Sequence, residues 1–150
     1  MVKFFSQNPS QTKKIGWILA KEILKTKTNR PFVLSLIGDL GGGKTTFLQG
    51  FAKGLGIKEK ILSPSFVILK RFKIKDLRFK NFYHIDCYRL EKPKEILDLG
   101  FKEIVSNPKN LVAIEWADRI KKILPKKTLI LRFDFLNRDQ RTISVRIRNS

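Results

Sequence analysis

The chain has 150 residues, of which 42% are hydrophobic, and it carries a formal net charge of +19. This length predicts one domain, residues 1–150, with a substantial core. The sequence lacks an apolar run near the roughly 20 residues that cross a bilayer, lacks a signal-peptide pattern, and has a single cysteine, which excludes an intrachain disulfide. These features favour a cytoplasmic protein.

The positive charge is compatible with several partners, namely nucleic acid, an anionic membrane surface or an acidic protein. The lysines are spread through the chain and are not concentrated in one tail. A proteome rich in lysine, isoleucine and phenylalanine would produce the same bias. Charge alone therefore leaves a basic binding surface and a compositional bias equally open.

The N-terminal third begins with residues 2–6, which predict a short edge strand. Apolar residues at near-helical spacing then predict a helix that Ser10 or Thr12 caps and that runs to about Lys25. Trp17 lies on this helix, and we interpret it as a core or boundary residue rather than as a surface for base stacking. Polar residues 26–31 predict a turn.

A glycine-rich segment follows the apolar run 32–37, which predicts a buried parallel strand, and precedes residues 45–52, which predict a helix. The segment, GDLGGGKT, fits the pattern G-x-x-x-x-G-K-[ST]. Its glycines let successive N–H groups face an anion, and the helix adds its positive dipole end. The pattern predicts a nucleotide phosphate site, in which Lys44 reaches the phosphates and Thr45 binds Mg²⁺; the alternative is an ordinary glycine-rich turn. The predicted cofactor-binding residues are Asp39, Leu40, Gly41, Gly42, Gly43, Lys44, Thr45 and Thr46.

The middle of the chain resumes after Gly54 and Gly56, which predict the end of that helix. Residues 63–66, SPSF, predict either a loop over the phosphates or an ordinary turn, and the local chemistry favours the turn. Residues 66–72 predict a strand, and the basic residues 73–80 predict a loop or a hairpin tip.

Residues 81–88 alternate as a strand does, but with unusually polar side chains. Asp86 could hold Mg²⁺ or position an attacking water. His84 could be structural, and a histidine-based metal site is not expected because the chain has one histidine. Arg89 could clamp a phosphate or face solvent.

An acidic residue, Glu115, ends the apolar run 111–114, which predicts a second buried strand. Before this strand, residues 93–99 predict a helix and residues 101–105 predict a second short turn. In a P-loop protein such a carboxylate coordinates Mg²⁺ or its water shell, and we prefer this interpretation to a solvent-facing carboxylate. Trp116 could pack in the core, cover the nucleotide or contact a partner. Residues 117–124 predict a short basic helix, and 128–135 with 141–148 predict an antiparallel hairpin.

Taken together, these motifs resemble the bacterial TsaE (YjeE) ATPases of tRNA threonylcarbamoyladenosine (t6A) synthesis. The P-loop alone is generic, whereas HIDCYRL at 84–90 followed by IEW at 114–116 is much more specific. SPSF at 63–66 and DLGF at 98–101 also match.

The resemblance implies an α/β, three-layer P-loop fold with a mostly parallel central sheet and a C-terminal antiparallel hairpin. It implies slow Mg²⁺-dependent ATP hydrolysis and a TsaB–TsaD partner complex, which transfers threonylcarbamoyl to adenosine 37 of tRNA. The chain itself would not be the transferase, and contact with tRNA would be indirect or through the complex.

The resemblance also implies roles by position. The implied catalytic residues are Lys44, Asp86 and Glu115, the implied metal ligands are Thr45 and Glu115, and the implied switch or partner contacts are Ser65, His84, Arg89 and Trp116. For residues 63–65 this reverses the local preference for a plain turn.

The chain departs from the family pattern at three positions. It has Gly42 where Ala is usual, Ser65 where Thr is usual, and Ala117 where Pro is common. The first change adds flexibility, the second keeps the hydroxyl, and the third makes the loop after Trp116 less rigid.

Two alternatives remain at this point, a small-molecule kinase on the same scaffold and a basic nucleic-acid-binding protein. The sequence offers Arg89 and the basic residues near 70–80, but no clear kinase lid. The preference for ATP over GTP is implied by the resemblance and not by individual residues. The sequence has no N-K-x-D motif, which would indicate guanine recognition.

Overall fold

A computed structural model of the protein describes residues 1–39, 41, 43–62 and 68–148. The strands are β1 (Val2–Ser6), β2 (Phe32–Gly38), β3 (Leu69–Lys73), β4 (Asn81–Asp86), β5 (Asn110–Glu115), β6 (Leu129–Phe135) and β7 (Arg141–Ile147). The helices are α1 (Pro9–Leu24), α2 (Lys44–Gly54), α3 (Pro93–Leu97), α4 (Phe101–Ile104) and a 3₁₀ helix (Ala117–Ile123).

The seven strands form one sheet in the order β1-β7-β6-β2-β5-β4-β3. The central pairings β6–β2, β2–β5 and β5–β4 are parallel, and the outer pairings are antiparallel. This confirms the predicted α/β class, the parallel centre and the C-terminal hairpin of β6 and β7. Leu36 and Asp86 are both in register with Glu115, so β2, β5 and β4 end at the same edge.

Helices cover both faces of the sheet, which makes three layers. On one face α1 and α2 bury the ring cluster of Phe47, Phe51, Phe82 and Phe133. On the other face α3, α4 and the 3₁₀ helix bury a second apolar cluster against β4 and β5. All six residues of β5 are buried because the strand has a packed layer on each side. Each fully buried Phe contributes about 1.5–3 kcal/mol through removal of apolar surface from water.

Glycines allow α1 and α2 to pack in direct backbone contact. A Cβ atom at Gly50 would overlap the carbonyl group of Lys13, and one at Gly16 would overlap the carbonyl of Phe47. A Cβ at Gly54 would lie 2.7 Å from the carbonyl oxygen of Trp17. No larger side chain fits at these positions without separating the helices.

The cap of α1 differs from the prediction. Asn8, rather than Ser10 or Thr12, is the N-cap, and its side chain accepts a hydrogen bond from the backbone N–H of Gln11 at 2.9 Å. Pro9 occupies the first turn, where its missing N–H costs nothing, and the cap therefore lies two residues before Ser10, the nearer of the two predicted caps. Thr12 is buried, and its hydroxyl lies 2.6 Å from the hydroxyl of Ser6.

Other boundaries also differ. The predicted helix at 117–124 is a 3₁₀ helix with non-helical angles at Ile120, where burial of the side chain bends the segment onto the second cluster. Strand β4 ends at Asp86, and β3 begins at Leu69, while residues 66 and 67 of the predicted strand lie outside the described residues. Among the helices of the described ranges, none has the length and apolarity that crossing a membrane requires.

Gly50→Ala should destabilise the protein by about 2 kcal/mol or more, because the added methyl group pushes α2 away from α1. The matched control is Gly56→Ala, where the new Cβ would meet no atom within 4 Å and only the positive φ of 81° opposes it. That control should cost roughly 1 kcal/mol. Thermal unfolding compares the two variants; an equal loss in both would contradict the packing argument.

Candidate functional site

The glycine loop between β2 and α2 has backbone angles that only glycine adopts readily. Gly38, Gly41 and Gly43 have φ angles of 144°, 75° and 97°, which side-chain-bearing residues rarely adopt. A Cβ at Gly38 would lie 2.5 Å from the carbonyl oxygen of Phe133 on the neighbouring strand. The loop therefore ends β2 tightly against β6 and delivers the chain into the N-terminus of α2. Leu40 and Gly42 lie outside the described residues.

Lys44, the first residue of α2, folds back over this loop. Its Nζ atom donates hydrogen bonds to the carbonyl oxygens of Gly38 at 2.5 Å and Asp39 at 2.9 Å. It also lies 4.4 Å from the centre of the Trp116 ring. Burial lowers the pKa of Lys44, while the nearby carboxylates, of which Glu115 acts most strongly, oppose that shift. The ammonium group is thus held at the loop by neutral carbonyl acceptors, which an anion can replace.

Glu115 ends β5 and is held by residues from two other elements. Its Oε2 atom lies 2.6 Å from Nε2 of His84, and its Oε1 atom accepts a bond of 3.4 Å from the hydroxyl of Thr45. An ionised carboxylate only accepts hydrogen bonds, so Nε2 of His84 carries the proton while Glu115 is charged. Both Glu115 and His84 are buried, at 3% and 5% exposure. This arrangement fixes the carboxylate beside the first turn of α2.

Asp86 ends β4 beside Glu115 in the same register. Its Oδ1 atom accepts a hydrogen bond of 2.9 Å from the backbone N–H of Tyr88. Burial raises the pKa of Asp86, the charge of Glu115 raises it further, and the Tyr88 bond and the charges of His84 and Lys44 oppose the rise. Next to Asp86, the backbone N–H of Cys87 donates a hydrogen bond of 3.0 Å to the carbonyl oxygen of Glu115, which joins the ends of β4 and β5.

Aromatic rings form a wall beside these charges. Trp116 has a left-handed backbone, with φ 56°, which costs a non-glycine residue roughly 1–2 kcal/mol. This conformation directs the indole toward Lys44, and the rings of Trp116 and Tyr88 lie 5.1 Å apart. The guanidinium of Arg119 lies 5.7 Å from the Tyr88 ring.

Arg141, at the start of β7, is a residue that the sequence analysis missed. Its Nη2 atom donates to the carbonyl of Gly41 at 3.1 Å, and its guanidinium lies 4.2 Å above the ring of Phe135. It therefore fastens the glycine loop to the C-terminal hairpin. No motif marks this arginine; only the placement of β6 beside β2, which the sequence does not reveal, brings the hairpin to the loop.

The structure brings together most of the predicted site residues, at the edge where β2, β4 and β5 end. The residues so gathered are Gly41, Gly43, Lys44, Thr45, His84, Asp86, Glu115 and Trp116. Asp39 is exposed in the loop, Thr46 is half-buried in the first turn of α2, and Arg89 is exposed after β4. Ser65, with residues 63–67, lies outside the described residues, so the switch loop remains a prediction.

The donor set fits Mg²⁺ bound together with phosphate. Within the part of the chain that the structure describes, no group of three or more His, Cys, Asp or Glu residues could hold a metal by itself. Mg²⁺ prefers oxygen ligands and is usually bound through one or two protein oxygens together with substrate phosphates and water. The hydroxyl of Thr45 and the carboxylate of Glu115 offer such oxygens next to the glycine loop.

Asp86→Asn should stabilise the nucleotide-free protein at pH 7–8, because the amide avoids burying a charge and still accepts the Tyr88 bond. The pKa of Asp86 is higher in the folded state than in the unfolded chain, where it is near 3.8. Wild-type stability therefore falls as pH rises through this window, and the advantage of the variant shrinks toward pH 4. Thermal unfolding across pH measures this, with Asp98→Asn, an exposed carboxylate, as the control. An unchanged or lower stability of Asp86→Asn at pH 8 would contradict it.

Several known proteins similar to this chain come from one family. A family model described as "Threonylcarbamoyl adenosine biosynthesis protein TsaE" matches residues 6–143. Proteins named "tRNA threonylcarbamoyladenosine biosynthesis protein TsaE" from Bacillus subtilis and Rickettsia felis are 37% and 36% identical to the chain. The alignments cover 95% and 92% of this chain, and 84% and 75% of those proteins.

A solved structure agrees with this. The crystal structure of Bacillus subtilis YdiB superposes with a TM-score of 0.70 at 31% identity, over 96% of this chain and 83% of that one. The family model spans the glycine loop, the His84–Glu115 pair and Asp86. The chain therefore belongs to the TsaE family of threonylcarbamoyladenosine biosynthesis proteins.

Proposed function

We propose that this protein binds ATP with Mg²⁺ at the glycine loop, hydrolyses it slowly, and thereby serves a TsaB–TsaD complex in tRNA t6A modification. The observation that carries the proposal is the convergence of Lys44, the Thr45–Glu115 pair and Asp86 on one edge of the sheet. Membership of the TsaE family supplies the pathway. Such a role belongs in the cytoplasm, where tRNA is modified.

Phosphate binding would exchange the present partners of Lys44. The ammonium group leaves the carbonyls of Gly38 and Asp39 for a phosphate oxygen, and the charge-assisted bond it gains is the stronger one. The N–H groups of the glycine loop and the N-terminus of α2 stabilise the same negative charge. Trp116 lies above Lys44 and shields this contact from water.

The two carboxylates have different surroundings, which suggests different tasks. Glu115 is fixed by His84 and by Thr45, so it is suited to hold the metal beside the helix. Asp86 has one backbone donor and a raised pKa, so it is suited to orient or deprotonate the attacking water. When bound, Mg²⁺ would neutralise charge on the transferring phosphoryl group.

Lys44→Ala should weaken ATP binding by at least about tenfold and abolish hydrolysis, because it removes a charge-assisted phosphate contact. Lys53→Ala, in the last turn of the same helix, is the matched control and should bind and hydrolyse ATP as the wild type does. Equilibrium binding of a fluorescent ATP analogue and phosphate release provide the measurements. Normal ATP hydrolysis by Lys44→Ala would contradict the proposal that ATP binds at the glycine loop.

The role in modification is tested by reconstitution. With TsaB, TsaD, threonylcarbamoyl-adenylate and unmodified tRNA, multiple turnovers should require this protein, ATP and an intact Lys44. A yield that is independent of the protein would reject the accessory role. Rapid phosphate transfer to a metabolite, with little release to water, would instead favour the kinase alternative.

A further inference from the structure

A basic groove lies on the α1–α2 face, separate from the glycine loop. It has a volume of about 940 Å³ and is lined by α1, by the second half of α2 and by the segment 56–61 that follows α2. Its lysines and its tryptophan are Lys13, Lys14, Trp17, Lys53, Lys58 and Lys60.

The backbone segments that line the groove are fixed to one another by packing. The contact of Gly50 with the carbonyl of Lys13, and of Gly54 with that of Trp17, fixes α1 directly against α2. The amide of Gln49 donates to the carbonyl of Ile61 at 3.1 Å, which fastens the following segment to α2. The lysines therefore project from segments whose backbones are held in place by these contacts.

The charge of the groove is strongly one-sided. Five lysines and one glutamate, Glu59, line it, and all five lysines are exposed. The ion pairs formed within the described ranges involve none of these lysines. Like charges in one concave surface repel, so the groove gains most from a ligand with several negative charges along its length.

Trp17 distinguishes among such ligands. Its side chain is 42% exposed within the groove, and Nζ of Lys21 lies 5.4 Å from its ring centre. An exposed ring in a surface lined by cations is an arrangement on which nucleic-acid bases stack while the backbone phosphates meet the lysines. An acidic peptide offers no base for this ring, and a bilayer surface does not follow a concave groove.

We propose that this groove binds an unpaired stretch of RNA, with phosphates on the lysines and a base stacked on Trp17. The site is distinct from the nucleotide site, because Lys44 begins α2 whereas Gln49 and Lys53 lie in its later turns. The proposal goes beyond ATP hydrolysis and stands or falls independently of it. A tRNA supplies unpaired stretches in its loops and at its end.

A charge-reversal comparison tests the phosphate contacts. The groove variant Lys14→Glu/Lys53→Glu/Lys58→Glu is compared with Lys102→Glu/Lys121→Glu/Lys122→Glu. The control carries the same charge change on α4 and the 3₁₀ helix, which pack on the opposite face of the sheet. Binding of fluorescent oligouridine and of an unmodified tRNA transcript is measured over a range of salt concentrations.

The groove variant should lose roughly tenfold or more in RNA affinity at low salt, and the slope of log K against log salt should shrink by about 2–3. The control should lose much less. Both variants should bind ATP as the wild type does and unfold at similar temperatures, which separates this outcome from failure of the nucleotide site. Equal losses in the two variants would show that net charge alone drives binding and would overturn the groove.

Trp17→Leu tests the stacking contact while keeping an apolar side chain. It should weaken oligouridine binding by roughly 5-fold or more and leave binding to duplex RNA nearly unchanged. Equal weakening of both would overturn stacking. Tighter binding of the wild type to poly-glutamate, or to vesicles of phosphatidylglycerol and phosphatidylcholine, than to oligouridine would overturn RNA as the ligand.

Discussion

The site depends on the buried pair between His84 and Glu115. A carboxylate with 3% exposure is costly to bury unless it is paired, and removing one partner of such a pair typically costs about 3–5 kcal/mol. The pair forms because β4 and β5 are parallel and in register: His84 is opposite Ala113, and Glu115 lies two residues farther along the same face. The same register places Asp86 opposite Glu115 and β2 beside both. Strand pairing therefore determines which charges meet, before any ligand arrives.

Helix α2 connects this edge to the rest of the molecule. Its first residues, Lys44 and Thr45, contact the loop and Glu115, and its glycines hold it against α1. Its apolar side packs Phe47 and Phe51 into the larger cluster. A displacement of α2 would thus change the contacts of Lys44 and Thr45 and the basic groove together. Close packing of this kind leaves the helix few alternative positions, which favours a preorganised site.

Much of this arrangement could be predicted from the sequence because local patterns dictate it. The buried strands β2 and β5 appear as apolar runs, the glycine loop as a motif, and Glu115 as the acid that ends a strand. What could not be predicted depends on contacts between distant segments. Arg141 contacts Gly41 because β6 pairs with β2, and no local pattern encodes that pairing. Trp17 fits the predicted boundary position, but the proposed base stacking reverses the interpretation made from the sequence. Its place among lysines from three segments appears only once α1 and α2 are packed.

Several features at the edge of the sheet where β2, β4 and β5 end destabilise the folded protein. Asp86 and Glu115 end adjacent strands, Lys44 is buried beside them, and Trp116 adopts a left-handed backbone. The charge of Glu115 raises the pKa of Asp86, and burial strengthens the repulsion between the two carboxylates because the local dielectric is low. Lys44 offsets only part of it, since its hydrogen bonds go to the carbonyls of Gly38 and Asp39 rather than to the acids. An additional cation at this edge would relieve the repulsion directly. The arrangement is thus least stable where the proposed metal and nucleotide would contribute most, as expected when a site is built for binding rather than for the stability of the empty protein.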